Sequence, residues 1–70
     1  MNYARRIAIL QLVHYTLRWP SIATEEERRE LVDGGFAYEE EDGFGDIACF
    51  LTSLGELEIG YPETNNKGDK

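Results

Sequence analysis

Leu31-Val32-Asp33-Gly34-Gly35-Phe36-Ala37-Tyr38-Glu39-Glu40-Glu41-Asp42-Gly43-Phe44-Gly45-Asp46-Ile47-Ala48-Cys49-Phe50-Leu51-Thr52-Ser53-Leu54-Gly55 is the stretch on which the reading of this 70-residue chain turns. Gly34 and Gly35 end a helix, because one of them can take the left-handed conformation that closes it. Phe36 to Tyr38 and Ile47 to Leu51 have strand composition, and Asp42 to Asp46 supplies the turn between them, which predicts a β-hairpin. The period of two puts Ile47, Cys49 and Leu51 on one face and Ala48 and Phe50 on the other. That leaves Phe50 as a satellite contact or an exposed anchor. Thr52 then caps a short last helix over Ser53 to Ile59, with Leu54 and Leu57 as its apolar contacts.

Upstream, Thr24 followed by Glu27 is a capping box, in which each residue's side chain accepts from the other's backbone N–H. A helix therefore starts at about Glu25, with acids in its first turn that suit the positive end of the helix dipole. Only Leu31 and Val32 are strongly apolar in it, so the face from Glu25 to Glu30 must be solvated or meet a charged partner. Asn2 to Trp19 contains no Gly or Pro and predicts a first helix, ended by Pro20. Tyr3, Ile7, Leu10, His14 and Leu17 form one stripe at helical spacing, the expected core face. Ala8, Leu12, Tyr15 and Trp19 form a second stripe on roughly the opposite side. A helix apolar on so much of its circumference is expected to be covered on more than one side.

The order of helix, Leu31-Val32-Asp33-Gly34-Gly35-Phe36, hairpin with Asp42-Gly43 at its tip, then Phe50-Leu51-Thr52 and Gly55, resembles the recognition-helix end, wing and following helix of bacterial winged-helix regulators. The resemblance covers about 25 to 30 of the 70 residues. It implies an α+β, helix-helix-hairpin-short helix domain whose second helix and wing would face DNA. Two features depart from it. Ser21 to Asp33 has room for one helix where the family has two. The helix before the wing carries Glu25, Glu26, Glu27, Glu30 and Asp33 against Arg28 and Arg29, and the wing carries Glu39, Glu40, Glu41, Asp42 and Asp46. Such a surface repels phosphates, whose neutralisation supplies most non-specific DNA affinity.

Charge is unevenly spread. The net charge is -7, yet residues 1–20 hold Arg5, Arg6 and Arg18 and no acid, residues 21–61 hold twelve acids against two arginines, and residues 62–70 cancel. The net negative charge thus lies in the expected folded domain, residues 1–61, and not in the polar segment 62–70, which reads as a flexible tail. A chain of this size buries only roughly 60% of its unfolded surface. With 41% hydrophobic residues it still has the composition of a folded domain.

No constellation for catalysis, metal or cofactor emerges. His14 sits on an apolar stripe with no partnered nucleophile. Cys49, the single cysteine, lies in an apolar run with acidic neighbours that would raise its thiol pKa. Thr52 and Ser53 read as capping residues. Asp42 to Asp46 lacks the alternating oxygen ligands and terminal glutamate of a calcium loop, and Gly43 and Gly45 belong to a hairpin with no helix opening after them. The single cysteine suits a reducing, cytoplasmic setting, and no uninterrupted apolar run is long enough to span a membrane.

These features point to a non-catalytic, acidic protein-binding module. Its expected partner-binding residues are Glu25, Glu26, Glu27, Glu30, Glu39, Glu40, Glu41 and Asp42, facing a basic protein surface such as that of a nucleic-acid-binding protein. Small acidic proteins of phages and other mobile elements often act in this way, as inhibitors or modulators of host nucleic-acid-handling machinery; that comparison rests on size and charge. Leu12, Tyr15 and Trp19 are expected either to be buried under the hairpin and last helix or to form a homodimer or partner interface. The alternative is a small winged-helix-like transcription regulator that binds DNA through Arg5, Arg6, Arg18, Arg28 and Arg29 gathered on one side.

Overall fold

The computed structural model describes residues 1–60; the expected tail at 62–70 lies outside them. The element order is α1 (Tyr3–Thr16), α2 (Glu25–Asp33), β1 (Ala37–Glu41), β2 (Ile47–Leu51) and α3 (Ser53–Glu58). The two strands pair antiparallel, and the fold is a small α+β domain of helix, helix, hairpin and short helix.

Each helix begins at a polar cap. Asn2 accepts from the N–H of Arg5 at the start of α1, and Thr52 from that of Gly55 at the start of α3. At α2 the capping box is complete. Thr24 Oγ1 accepts from Glu27 N at 3.1 Å, and Glu27 Oε1 accepts from Thr24 N at 3.0 Å. The helix closes through Gly34 and Gly35, the latter at φ +84°.

α1 stops short of the expected boundary at Trp19. Leu17 takes a left-handed conformation (φ 58°, ψ 31°), and its N–H donates to Val13 O at 2.8 Å. Such a conformation costs a non-glycine residue roughly 1–2 kcal/mol. Here it turns the chain so that Leu17 O accepts the N–H of Cys49 at 2.9 Å, which ties the end of α1 to the outer edge of β2. The helix gives up its last residues to this tertiary bond, which local propensity does not register.

β2 has the expected bounds, but β1 begins one residue later than expected and runs on to Glu41. Phe36 is excluded from the strand because its backbone is used elsewhere. Its N–H donates to Leu31 O, and its carbonyl accepts the N–H of Thr52, both at 3.0 Å. Glu39, Glu40 and Glu41 are poor strand formers, yet they pair with Cys49, Ala48 and Ile47 because the register from Ala37↔Leu51 carries them along.

The core lies between α1, α2 and the inner face of the hairpin. It consists of Ile9, Leu10, Val13, Ala23, Leu31, Ala37 and Cys49, with Met1, Trp19, Phe36, Leu51 and Ile59 packed at its edge. This corrects the expected α1 face. Leu10 is fully buried, but Tyr3 is 62% and Leu17 47% exposed, and Ile7 and His14 are only half-buried. The buried residues Ile9, Leu10 and Val13 centre on a line rotated by roughly 70° from the Tyr3–Leu17 stripe, at 3.6 residues per turn. The second stripe is not covered by the hairpin or α3: Ala8, Leu12 and Tyr15 are exposed, and only Trp19 is half-buried. On the outer hairpin face Phe50 stacks on Tyr38, with ring centroids 5.5 Å apart. Among the described residues no helix is long and apolar enough to cross a membrane.

Candidate protein-binding surface

The eight acids expected to meet a partner divide into groups that the sequence does not separate. Glu27 and Glu30 turn toward α1. Arg5 Nε lies 2.9 Å from Glu27 Oε2, the same guanidinium donates to Glu27 Oε1 and to Ile22 O, and the α-amino group of Met1 lies 3.3 Å from Glu30 Oε2. Glu39 accepts from the indole N–H of Trp19. Asp42 organises the hairpin tip, where its Oδ1 accepts from Phe44 N at 2.7 Å and from Asp46 N at 3.2 Å. Glu25 makes only a loose contact with Arg29, 3.8 Å long and highly exposed, which contributes little. Glu26, Glu40 and Glu41 make no ion pair or side-chain hydrogen bond among the described residues, and all three are exposed. The acids that the fold leaves available are therefore Glu25, Glu26, Glu40 and Glu41.

Glu27 shows what internal use does to a carboxylate. Its hydrogen bond from Arg5, together with the backbone N–H of Thr24, lowers its pKa from 4.5 to about 2. Arg5 is shifted upward in turn, chiefly by the same hydrogen bond. Because the folded value lies below the unfolded one, the stabilisation is complete above about pH 4.5 and is lost as pH falls toward about 2. Glu27→Gln is expected to lower the urea midpoint at pH 7, with the gap to the parent narrowing as pH falls through that window. An equal gap at pH 7 and pH 2 would show that the ion pair contributes nothing.

The five arginines do not gather on one side, as a conventional DNA-binding reading expects. Arg5 is held by Glu27, while Arg6 pairs with Glu58 of α3 and lies 5.2 Å from the Phe36 ring centroid. Arg18, Arg28 and Arg29 stand apart from these, around a cleft of about 520 Å³ between α2 and the hairpin. Its apolar lining is Trp19, Val32 and Ile47; Glu25, Asp33 and Glu39 bring the lining charge to balance. Arg18 and Arg28 have no ion-pair partner among the described residues.

At the hairpin tip Phe44 is 93% exposed. Gly43 (φ +90°) and Gly45 (φ +92°) flank it in left-handed conformations that L side chains rarely adopt. Sequence reasoning absorbed Phe44 into the turn; the signal available was an aromatic residue between two glycines, where no core can reach it. In the expected dimer stripe, Tyr15 is 79% and Leu12 38% exposed, while Trp19 is committed to the core edge and to Glu39.

Cys49 is fully buried, and burial with the nearby charge of Glu39 pushes its thiol up to about 12. No group of three or more His, Cys, Asp or Glu among the described residues is placed to hold a metal ion. No family model, curated protein or solved structure matches this chain.

Proposed function

We propose that the protein is a non-catalytic, acidic protein-binding module whose hairpin and outer α2 face engage a basic surface, such as that of a nucleic-acid-handling protein. The observation that carries this reading is the sorting of the acids. The domain uses Glu27, Glu30 and Glu58 to satisfy its own cations and leaves Glu25, Glu26, Glu40 and Glu41 exposed on the two elements that the winged-helix resemblance turns toward DNA. Electrostatic complementarity of this kind sets the rate and specificity of encounter more than raw affinity. A role as a phage or mobile-element modulator of a host nucleic-acid-binding protein follows as a proposal from small size and negative charge.

The test is calorimetry and stopped-flow binding against a panel of basic nucleic-acid-binding proteins. For a partner that binds, changing Glu25, Glu26, Glu40 and Glu41 together to Gln is expected to slow association at least about tenfold at low salt, within the range by which steering accelerates encounter. Equal association for parent and variant would sink the reading.

A second reading, direct DNA binding as a small transcription regulator, draws on one specific observation: Arg18, Arg28 and Arg29 line the cleft between α2 and the hairpin. It requires a salt-dependent gel shift with duplex DNA that Arg28→Gln weakens. No shift at low ionic strength removes it.

A further inference from the structure

We propose that the protein forms a reciprocal homodimer, in which the hairpin tip of each copy inserts into the arginine-lined cleft of the other. The two halves of such a contact are present on one chain. The tip offers an apolar anchor, Phe44, 93% exposed, with the exposed acids Glu40, Glu41, Asp42 and Asp46 within four residues of it in the chain. The cleft offers a complementary receptor of about 520 Å³, with an apolar lining of Trp19, Val32 and Ile47, and with Arg18 and Arg28 free of ion pairs among the described residues.

The occupant is identified by charge. The chain is strongly acidic overall, and among the described residues the arginines outside the Arg5 and Arg6 ion pairs collect at the cleft and balance its acids, so an acidic finger meets less repulsion there than at the hairpin. Glu25, Asp33 and Glu39 also line the cleft and keep its lining neutral, with Glu25 facing Arg29 and Glu39 bonded to the Trp19 indole; Arg18 and Arg28 are the lining cations without an ion pair among the described residues, and they are the ones placed to receive the incoming carboxylates. Exposure of Phe44 shows that the tip does not fill the cleft of its own chain. Exchange between two copies therefore satisfies both features, and a two-fold axis makes the exchange mutual, residue for residue. The tip is also preorganised, because Asp42 Oδ1 holds the backbone N–H groups of Phe44 and Asp46 before any contact is made, which reduces the ordering cost of binding. Aromatic and arginine residues are the side chains most often found to dominate such contacts.

This inference is independent of the partner reading, although the two meet at the hairpin. A basic partner and a second copy would compete for Glu40 and Glu41, and self-association is measured on the protein alone. The experiment is sedimentation velocity across a concentration series at low and high salt. The expected result is a reversible monomer–dimer equilibrium that high salt weakens, as screening of charge pairs requires. Phe44→Ser and Arg28→Glu are each expected to weaken dimerisation at least about tenfold, as loss of an interface anchor does, while leaving unchanged the urea midpoint measured at concentrations where the parent is monomeric. The decisive arm mixes Arg28→Glu with Asp46→Lys. Each variant alone places like charges at both contacts and is monomeric, whereas the mixture places opposite charges at both and restores a dimer. A monomer at every concentration overturns the proposal. So does a dimer insensitive to these substitutions, or one lost instead on Tyr15→Ser, which would move the interface to the exposed face of α1.

Discussion

Gly55→Ala is expected to cost about 3 kcal/mol or more, beyond the usual range for one added methyl group in a packed site. An alanine Cβ at this position would lie 2.1 Å from Phe36 O, 3.1 Å from Phe36 C and 3.3 Å from Leu51 Cβ. The nearest atom is backbone, so no side chain can swing aside. Phe36 O is itself committed, since it accepts the N–H of Thr52 at 3.0 Å; Thr52 Oγ1 in turn donates to Gly35 O at 2.6 Å and accepts from Gly55 N at 3.1 Å. Moving the carbonyl therefore strains the start of α3, the end of α2 and the last rung of the hairpin together. A domain of this length has a total stability of roughly 4–10 kcal/mol, so the variant loses a large part of it. The check is urea denaturation followed by far-UV circular dichroism. A midpoint within error of the parent would mean that α3 does not sit against Phe36 as described.

Gly55 also shows what kind of information the sequence carries. It is visible in the chain as one member of the pattern that resembles a winged helix, but the reason for glycine there is a backbone approach between residues nineteen positions apart, which no local rule contains. The features that were legible share the opposite property. The Thr24–Glu27 capping box, the Gly34–Gly35 closure, the bounds of β2 and the Thr52 cap are each determined by neighbours within a few residues, and each stands in the structure. The end of α1 was not legible, because Leu17 is turned by the N–H of Cys49, thirty-two positions away.

The same distinction governs the binding surface. Five acids in α2 look equivalent in sequence, since helical spacing alone does not say which of them faces another cation. The structure separates them by rotation about the α2 axis. Glu27 and Glu30 lie on the side of Met1 and Arg5, whereas Glu25 shares the cleft side with Arg28, Arg29, Val32 and Asp33. Charge count therefore overstates the free acidic surface, because part of it neutralises the arginines of α1. What remains is narrower, shared between Glu25 and Glu26 of α2 and Glu40 and Glu41 of the hairpin, where Phe44 adds the apolar contact that a purely electrostatic reading lacks.

Leu10→Ala is expected to destabilise the domain by about 2–5 kcal/mol, the range for removing a fully buried leucine when the cavity only partly collapses. Leu10 is completely inaccessible and belongs to the same core cluster as Ile9, Val13, Leu31 and Cys49. It is also the one residue of the sequence-predicted stripe that reaches the centre of that core, so it discriminates between a helix face read from spacing and the face set by packing. The ambiguity was physical. α1 is apolar around most of its circumference, and its spacing supports more than one stripe, whereas only contact with Leu31 and the hairpin selects among them. Two companion variants make the test specific. Val13→Ala, buried in the structure and left between the stripes by sequence, is expected to be costly, whereas Tyr3→Ala, on the predicted stripe but 62% exposed, is expected to shift the urea midpoint little. The reverse order, with Tyr3→Ala more damaging than Val13→Ala, would mean that α1 is rotated from the orientation described and that its core face is the one the spacing first suggested.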